Sequence, residues 1–186
     1  KLDGLTVVAY GQPDGSCKFV TRGNGTVGEI LPNFISKYEG QNVSKLRCVR
    51  GEVFMRYSVM ESINEERIAA GEEPFKNPRN AAAGILRNKE RSPYLDKLEY
   101  LCYDLPWNDD YTEEEKLQLI KRSSSFEPVP ALSGSSVDEE MMMIDEFYAN
   151  YMDGDIPIDG MVIKNNERYS LNKFGNTNHH PNNAFA

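Results

Sequence analysis

The two ends of this chain carry related lysine motifs, and these constrain the fold more than any other feature of the sequence. Lys1-Leu2-Asp3-Gly4 opens the chain, and Ile158-Asp159-Gly160-Met161-Val162-Ile163-Lys164 forms an apolar run near the other end. A lysine amine attacks phosphorus only when it is neutral, and a second cation nearby favours that form by lowering the first amine's pKa. The pair predicts covalent nucleotide transfer, with Lys1 attacking and Lys164 neutralising phosphate charge. The opening motif alone equally fits a solvated terminal lysine, so this prediction depends on the second motif.

An acid on an apolar strand is a further candidate for the same chemistry. Glu52 follows Arg50-Gly51 on an apolar strand. An isolated strand glutamate usually lies on the solvent face. Together with Asp159, however, Glu52 is a candidate to bind ribose hydroxyls or a hydrated Mg²⁺, which takes oxygen ligands and retains several waters.

The composition is that of an acidic, globular domain. The 186 residues are 39% hydrophobic and 27% charged, and 21 basic against 29 acidic residues give a net charge of −8. Bulk attraction to nucleic acid requires a basic face, so action on DNA would need grip from separate basic modules. Apolar runs are too short for a membrane span, and we expect no membrane association.

The spacing of cysteine and histidine argues against a disulfide framework and against zinc. Cys17, Cys48 and Cys102 lie far apart without a CxxC motif, which predicts buried, reduced thiols in a cytoplasmic protein. His179-His180 has no neighbouring cysteine and no HExxH pattern, so no zinc site is expected in this segment.

Periodicity and capping residues predict an α+β fold with mostly antiparallel sheets flanked by helices. The predicted strands cover residues 5–10 and 17–22 as a hairpin, then 46–57, 98–103 and 160–164. Helices are predicted over residues 61–70 and 80–87. Two more begin at capping boxes, one at Thr112 and Glu115 that runs to about residue 122, the other at Ser136 and Glu139. The last helix carries an apolar stripe of Ile144, Phe147, Tyr148 and Tyr151.

The segment Gly23-Asn24-Gly25-Thr26-Val27-Gly28 matches GxGxxG and leaves three interpretations open. A dinucleotide-binding βαβ unit is disfavoured by Pro32 within the required helix and by the preceding hairpin. A glycine-rich turn without a ligand is the second. We favour the third, a loop at the phosphate or sugar side of a nucleotide with Arg22 at its edge, since a guanidinium binds phosphate oxygens bidentately.

Residues 77–87, with the sequence NPRNAAAGILR, place Arg79 and Arg87 around three alanines and a glycine. Small residues of this kind allow close backbone packing. A tightly packed helix with solvated arginines and a pair of phosphate-facing arginines fit this segment equally well.

Six segments, in order, carry a family resemblance: KLDG, TRGNGTVGE, RGEVFM, NPRNAAAGILR, LCYD and IDGMVIK. Together they resemble the adenylation domain of bacterial-type NAD⁺-dependent DNA ligases from residue 1 to residue 186. ATP-dependent ligases and capping enzymes are similar only in the KxDG, glutamate and lysine parts. The resemblance implies the nucleotidyltransferase core of the covalent ligases, NAD⁺ and Mg²⁺ as cofactors, nicked double-stranded DNA as the partner of the full-length enzyme, and a monomer.

The resemblance also implies a role for each matching position. Lys1 becomes adenylated through its side-chain nitrogen, while Asp3 and Gly4 shape the pocket. The other implied roles are a sugar or phosphate contact for Arg22, ribose and metal contact for Glu52, adenine stacking for Tyr103, Mg²⁺ organisation for Asp159, α-phosphate binding for Lys164, and phosphate or DNA-backbone contacts for Arg79 and Arg87. In-line displacement leaves charge on phosphoryl oxygens, so positioned cations and a metal should provide most of the rate.

The sequence departs from the family pattern at two places. Asn24 stands where the family usually has Asp, and residues 151–155 offer no counterpart of a family arginine. The family's upstream domain, which binds nicotinamide mononucleotide, and its downstream OB and DNA-binding domains are missing. We therefore expect residues 1–186 to be one adenylation domain from a larger protein, unable to seal nicks alone.

The expected reaction moves AMP from NAD⁺ to Lys1, releasing nicotinamide mononucleotide, and then to the 5′-phosphate at a nick. The adjacent 3′-hydroxyl finally displaces AMP and closes the backbone. Two alternatives stay open: a non-catalytic nucleotide-binding relic, and an ATP-dependent nucleic-acid ligase or nucleotidyltransferase with another acceptor, such as RNA.

Overall fold

A five-stranded, mostly antiparallel sheet forms the centre of the molecule. The computed structural model describes residues 1–23, 27–38, 43–175 and 182–186. The strands are β1 Leu5–Gly11, β2 Cys17–Thr21, β3 Cys48–Phe54, β4 Glu99–Asp104 and β5 Glu127–Pro128, in the spatial order β2-β1-β3-β4-β5. The first four pair antiparallel, and β5 joins β4 in parallel. The predicted α+β class and the predicted hairpin are confirmed.

One face of this sheet is the hydrophobic core. Side chains alternate between faces along a strand and match across paired strands. The core face carries seven side chains that are at most 5% exposed: Val7, Ala9, Phe19, Val49, Val53, Tyr100 and Cys102. The Tyr100 hydroxyl lies 3.1 Å from the carbonyl oxygens of Val7 and Val49. The buried phenol of the core therefore has backbone hydrogen-bond partners.

The helices and a small second sheet surround this layer. The helices are α1 Pro32–Lys37, α2 Tyr57–Ala69, α3 Pro78–Arg87, α4 Glu113–Ser123, α5 Val137–Tyr151 and α6 Ser170–Phe174, with 3-10 turns at Ser44–Leu46 and Leu95–Lys97. The second sheet pairs β6 Ile163–Lys164 with β7 Ala184–Phe185. Across the described residues, no helix combines the length and the apolar character needed to cross a membrane.

Side-chain caps open both α3 and α4, but only the cap of α4 was predicted, and α3 begins two residues earlier than predicted. The Asn77 side chain accepts a hydrogen bond from Asn80 N at 2.7 Å, with Pro78 in the first turn of α3. At the start of α4, Thr112 and Glu115 form the complete predicted capping box, with hydrogen bonds of 2.9 and 3.1 Å.

Helix α2 begins earlier than its sequence predicts. We expected a strand over residues 46–57 and a helix over residues 61–70, but α2 already starts at Tyr57. The reason is a contact from a distant loop. Tyr57 N donates to Asp155 O at 3.0 Å, and Asp155 Oδ1 accepts from Ser58 N at 2.8 Å. Asp155 thus provides the N-terminal cap that the local sequence lacks.

The strand predicted over residues 160–164 is shorter than expected. Strand β6 covers only Ile163–Lys164, because its partner β7 offers only two residues for pairing. Just ahead of it, Ile158 forms an isolated antiparallel bridge with Leu2.

The last long helix also differs from its prediction. Ser136 Oγ accepts from Glu139 N at 3.3 Å, but the Glu139 carboxylate accepts from Ser135 N and Oγ, both at 2.9 Å. The capping box is therefore half formed. The apolar stripe is only partly covered: no residue of α5 is buried, and the rings of Phe147 and Tyr151 stack on each other 4.5 Å apart.

The three cysteines are buried thiols, as predicted. Cys17, Cys48 and Cys102 lie inside the fold without a disulfide. Burial raises the pKa of each thiol above its ordinary value.

A bulge in β3 requires glycine at one position. The register between β3 and β4 shifts between Arg50 and Gly51. A Cβ at Gly51 would lie 2.5 Å from Leu101 O and 2.6 Å from the Tyr100 ring. By contrast, apart from the chain neighbours and the helix's own backbone, no atom of the described residues lies within 4 Å of a Cβ built at Gly84, in the middle of α3.

We predict opposite effects for alanine at these two glycines. Gly51→Ala should lower the free energy of unfolding by about 1–3 kcal/mol, because backbone and ring must move to admit the methyl group. Gly84→Ala should raise it by about 0.5–1 kcal/mol, because it removes backbone freedom from an open helix position. Urea titration of both variants checks the pair, and a neutral Gly51→Ala would contradict the close packing at the bulge.

Candidate active site

A row of side chains crosses the face of the sheet opposite the core. Thr6 pairs with Glu52, and Glu52 pairs with Leu101. Tyr103 lies two residues beyond Leu101 and therefore on the same face. Arg22 N donates to Thr6 O at 3.2 Å and extends the row at the edge of β2. We call the surface formed by Thr6, Glu52, Leu101 and Tyr103 the site floor.

Glu52 is the buried acid of the site floor. It is 7% exposed, and its Oε2 accepts a hydrogen bond from Thr6 Oγ1 at 3.0 Å. Burial raises the pKa of Glu52 to about 7, with Thr6 and Arg79 opposing the rise and the charges of Asp3 and Asp159 adding to it. Glu52 therefore exchanges a proton near neutral pH, a property common among functional acids.

Burial also shifts the neighbouring phenol. It raises the pKa of Tyr103 to about 12, and the negative charge of Glu52 acts in the same direction. The Tyr103 ring therefore remains neutral and offers an aromatic face at the end of the site floor.

The two lysine motifs meet through backbone pairing. Asp3 N donates to Pro157 O at 2.8 Å, and Asp159 N donates to Lys1 O at 3.0 Å. Gly4 continues this path onto the sheet, and a side chain there would collide with the carbonyl oxygen of Val53. The glycine of the opening motif is thus needed for close approach of the chain to β3.

Two ion pairs lie beside the paired segments. Lys1 Nζ lies 2.9 Å from Asp159 Oδ2, and Arg79 Nη1 lies 3.1 Å from Asp3 Oδ1. The Lys1 and Asp159 side chains are 50% and 45% exposed, so their pairing contributes little to stability and leaves the amine free to move.

A second contact fixes the segment that carries Asp159. Asp155 caps α2 through Ser58, whose hydroxyl also donates to Asp155 Oδ2 at 2.9 Å. Arg56 Nη1 lies 3.8 Å from the same carboxylate oxygen. Because Asp155 is four residues before Asp159, this cap anchors the segment to the start of α2.

Lys164 lies at the Tyr103 end of the site floor. Its Nζ donates to Tyr103 O at 3.4 Å and lies 6.0 Å from the centre of the Tyr103 ring. It is also 2.6 Å from Glu113 Oε2, and Glu113 Oε1 lies 2.6 Å from Lys116 Nζ. Lys116 is 2% exposed and has Asp104 as a second partner at 3.6 Å.

The structure brings most of the predicted site residues to this one region. The charges of Asp3, Arg79 and Asp159 all act on the pKa of Glu52, and Glu52 acts on Tyr103, which contacts Lys164. These electrostatic interactions and contacts connect the Lys1–Asp159 ion pair at one end of the region with the Lys164–Glu113 ion pair at the other.

Two predicted residues lie at the margin of this region. The Arg22 side chain is exposed. Arg87 is 60% exposed and lies 3.9 Å from Glu29, about 12 Å along α3 from Arg79. Asn24 and the pair His179-His180 lie outside the described residues. The βαβ interpretation of the glycine-rich segment is wrong, because the strand before it belongs to an antiparallel hairpin and the helix after it, α1, has only six residues.

The sequence prediction missed Thr6, Glu113, Lys116 and Asp104. The capping box at Thr112 did signal that Glu113 opens a helix. Its ion pair with Lys164 spans 51 residues, however, and no spacing rule could have found it.

Metal-binding capacity in this region is limited to a few oxygen ligands. Among the described residues, no group of three His, Cys, Asp or Glu side chains is arranged to hold a metal ion. Glu52 and Asp159 interact electrostatically. Two such carboxylates suit Mg²⁺, which keeps waters and substrate oxygens as its other ligands.

Comparison with known proteins gives a consistent result. A family model described as the NAD-dependent DNA ligase adenylation domain matches residues 1–186. Similar curated proteins include a DNA ligase of Aquifex aeolicus (32% identical, over 100% of this chain and 28% of the relative) and DNA ligase 2 of Streptomyces coelicolor (34%, over 88% and 26%). A DNA ligase of Bacillus subtilis is 33% identical over 88% of this chain and 26% of its own length.

The pKa of Glu52 predicts an unusual pH dependence of stability. The folded pKa of about 7 lies above the ordinary value of 4.5, so the folded state binds this proton more tightly than the unfolded chain does. The resulting stabilisation is fully present below the ordinary pKa and is lost as the pH rises through 7. Glu52→Gln should therefore exceed the parent in free energy of unfolding by on the order of 3 kcal/mol at about pH 9, and by little at about pH 4. Denaturant titrations across this range check it, and a pH-independent difference would mean that Glu52 titrates normally.

The Asp155 cap predicts a separate effect. Asp155→Ala should lower the free energy of unfolding by about 1 kcal/mol. The backbone N–H of Ser58 loses the carboxylate that accepts its hydrogen bond, and the hydrogen bond from Tyr57 N to the Asp155 carbonyl loses the support of that carboxylate. Asp153→Ala is the matched control, since Asp153 is an exposed acid of the same loop and has no hydrogen bond or ion pair with the described residues. Equal effects in thermal unfolding would argue against the cap.

Proposed function

Because the chain belongs to the NAD-dependent DNA ligase adenylation domain family, we propose that it performs the lysine adenylation step of NAD⁺-dependent DNA joining. The observation that carries this proposal is the convergence of Lys1, Glu52, Tyr103 and Lys164 around one site floor, although the two lysines are separated by most of the chain. The chain spans 28% and 26% of the first two relatives described, so sealing of DNA is proposed for the whole protein. Residues 1–186 act as its adenylation domain.

The proposed first step conserves atoms and charge. The neutral Nζ of Lys1 attacks the adenylyl phosphorus of NAD⁺, forming an N–P bond. The bond from that phosphorus to the bridging oxygen breaks, and nicotinamide mononucleotide leaves with the electron pair. The attacking nitrogen, which would otherwise carry a positive charge, releases one proton to solvent. The AMP group then moves to the 5′-phosphate at a nick, and the 3′-hydroxyl displaces it.

The surroundings of Lys1 suit an attacking amine. Its ion pair with Asp159 is about half exposed, so an arriving phosphate competes with this carboxylate at small cost. Asp3 and Gly4 hold the backbone of the motif against β3, and Gly4 leaves no side chain between Lys1 and the site floor.

The Tyr103 end suits the rest of the nucleotide. The neutral ring is a stacking surface for adenine. Lys164 is 29% exposed beside it and supplies the cation for the α-phosphate. Glu52 has a pKa near 7 and can accept hydrogen bonds from ribose hydroxyls, and Arg22 at the edge of the row is the candidate for the sugar or phosphate side.

A magnesium ion fits this arrangement with limited protein ligation. Asp159 and Glu52 would hold it, with waters and phosphate oxygens completing the shell. When bound, Mg²⁺ neutralises charge on the transferring phosphoryl group. The protein's own contribution is to direct Lys1 and Lys164 towards the two sides of that group.

Contact with DNA is proposed for one face of α3. The net charge of −8 disfavours bulk attraction, so local cations must supply the contact. Arg79 and Arg87 are 54% and 60% exposed. Gly84 lies between them in the sequence, and outside the helix's own backbone no atom of the described residues would contact a Cβ built there, so α3 has open space on that side.

Mass spectrometry of the native protein after incubation with NAD⁺ and Mg²⁺ tests the proposal. We expect one AMP adduct on Lys1, absent in Lys1→Ala. The adduct should form on the order of 10²- to 10³-fold more slowly in Lys164→Ala, because a positioned cation is lost. Lys121→Ala, which removes an exposed lysine at the end of α4, should behave as the parent does.

Three other results would contradict this assignment. An adduct on another residue would displace Lys1 from its role. An adduct with ATP but not with NAD⁺ would favour an ATP-dependent transferase. Absence of any adduct would favour a non-catalytic nucleotide-binding relic.

A further inference from the structure

Glu113 is shared between two lysines that lie far apart in the sequence. It is the first residue of α4, where the Thr112 cap fixes the start of the helix. Its side chain is 15% exposed, and its two oxygens each lie 2.6 Å from an ammonium group, Oε1 from Lys116 and Oε2 from Lys164. Nothing in the proposed chemistry assigns this carboxylate a task.

On the side of Glu113 away from Lys164, positively and negatively charged side chains alternate along a series of ion pairs. Lys116 is almost fully buried and also contacts Asp104, whose other oxygen lies 3.2 Å from Arg50. The order Arg50, Asp104, Lys116, Glu113, Lys164 alternates in sign and ends in a cation on both sides. Each carboxylate thus has two cationic partners, and a net positive charge remains for Lys164 to present.

The buried ammonium of Lys116 holds Glu113 in place. Burial acts to raise the pKa of Glu113, but Lys164 and Lys116 outweigh it, and the pKa lies below its ordinary value. If Glu113 moved away, the buried Lys116 ammonium would lose its nearer carboxylate partner and keep only Asp104 at 3.6 Å, which is costly. Glu113 is therefore a fixed acceptor that cannot follow Lys164 away from the site floor.

The geometry leaves Lys164 one donor for a ligand. An ammonium has three N–H groups. Among the described residues its acceptors are Glu113 Oε2 and Tyr103 O, which together occupy two of them. A free lysine side chain loses rotamer entropy when it is fixed, so two fixed acceptors reduce the entropy that Lys164 must lose when a nucleotide binds.

We propose that Glu113 is a positioning residue that holds the Lys164 ammonium against Tyr103, with its third N–H directed to the adenylyl phosphate. This inference rests on the proposed function, because it assigns Glu113 a task in that reaction. Glu113 acts through Lys164 and does not itself touch the nucleotide.

The test compares two variants that differ only in whether the Glu113 carboxylate is present. Glu113→Gln alone would leave Lys116 with a single carboxylate partner and could impair folding. Lys116→Met removes that buried charge, while Asp104 keeps Arg50 and Glu113 keeps Lys164. The informative pair is therefore Lys116→Met and the double variant Lys116→Met with Glu113→Gln. Glu114→Gln is the matched control for charge loss, since Glu114 is the next residue on α4, is exposed and has no contact with Lys164.

The first measurement is NMR of the Lys164 side-chain amine in native protein with isotope-labelled lysine. In Lys116→Met, the hydrogen bond to Glu113 should protect the Lys164 N–H groups from exchange with water, and the double variant should lose this protection. Glu114→Gln should leave the exchange of these groups as it is in the parent. This readout does not depend on ligase activity, and overall stability alone would not produce it.

The second measurement is single-turnover formation of the AMP adduct at saturating NAD⁺. The rate should fall on the order of tenfold in the double variant relative to Lys116→Met, because a small displacement of a catalytic group is costly. Equal exchange of the Lys164 amine groups with water, or equal rates of adduct formation, in the two variants would overturn the role of Glu113 while leaving the proposed function intact. If the parent protein forms no adduct at all, the proposed function fails, and the positioning role fails with it.

Discussion

The pairing of the first residues with residues 157–160 is the constraint on which the whole site depends. Two backbone hydrogen bonds, which together form the β-bridge between Leu2 and Ile158, join segments that are more than 150 residues apart. Closing a loop of this size costs conformational entropy that local contacts cannot offset. The central sheet supports this pairing, because Gly4 lets the first residues of the chain lie directly on β3. The Asp155 cap then ties the partner segment to α2, so that Lys1 and Asp159 meet only when both attachments exist.

Ion pairs at the site differ in how firmly they hold their cations. Lys1 and Arg79 are paired with carboxylates in half-exposed surroundings, where such pairs are weak. Lys164 is paired with an acid that is itself fixed from behind by a buried lysine. The amine proposed to attack is therefore the loosely held group, and the cation proposed to bind phosphate is the firmly held one. That difference suits a reaction in which one nitrogen must approach phosphorus while the charges around it stay still.

Local signals in the sequence predicted the sheet class, the hairpin, α3 and the capping box of α4. Those features depend on residues within a few positions of each other, such as Asn77 with Asn80 or Thr112 with Glu115. Contacts across long separations could not be predicted in the same way. The early start of α2 depends on Asp155, and the anchoring of Lys164 depends on Glu113, which no periodicity connects. The candidate site residues were predicted from the order of short motifs, whereas their acidic partners carry no motif and emerged only from the folded arrangement.

The placement of the three thiols has a consequence for chemical selectivity. Sulfur is ordinarily the strongest nucleophile a protein offers to an electrophile, because even a few per cent of thiolate reacts quickly. Here Cys17, Cys48 and Cys102 are all enclosed, and burial raises the pKa of each, so little thiolate forms and none is within reach of solvent. An activated phosphorus arriving at the surface therefore meets nitrogen and oxygen nucleophiles only. The chain can thus carry a reactive lysine without a competing sulfur acceptor diverting the transferred group.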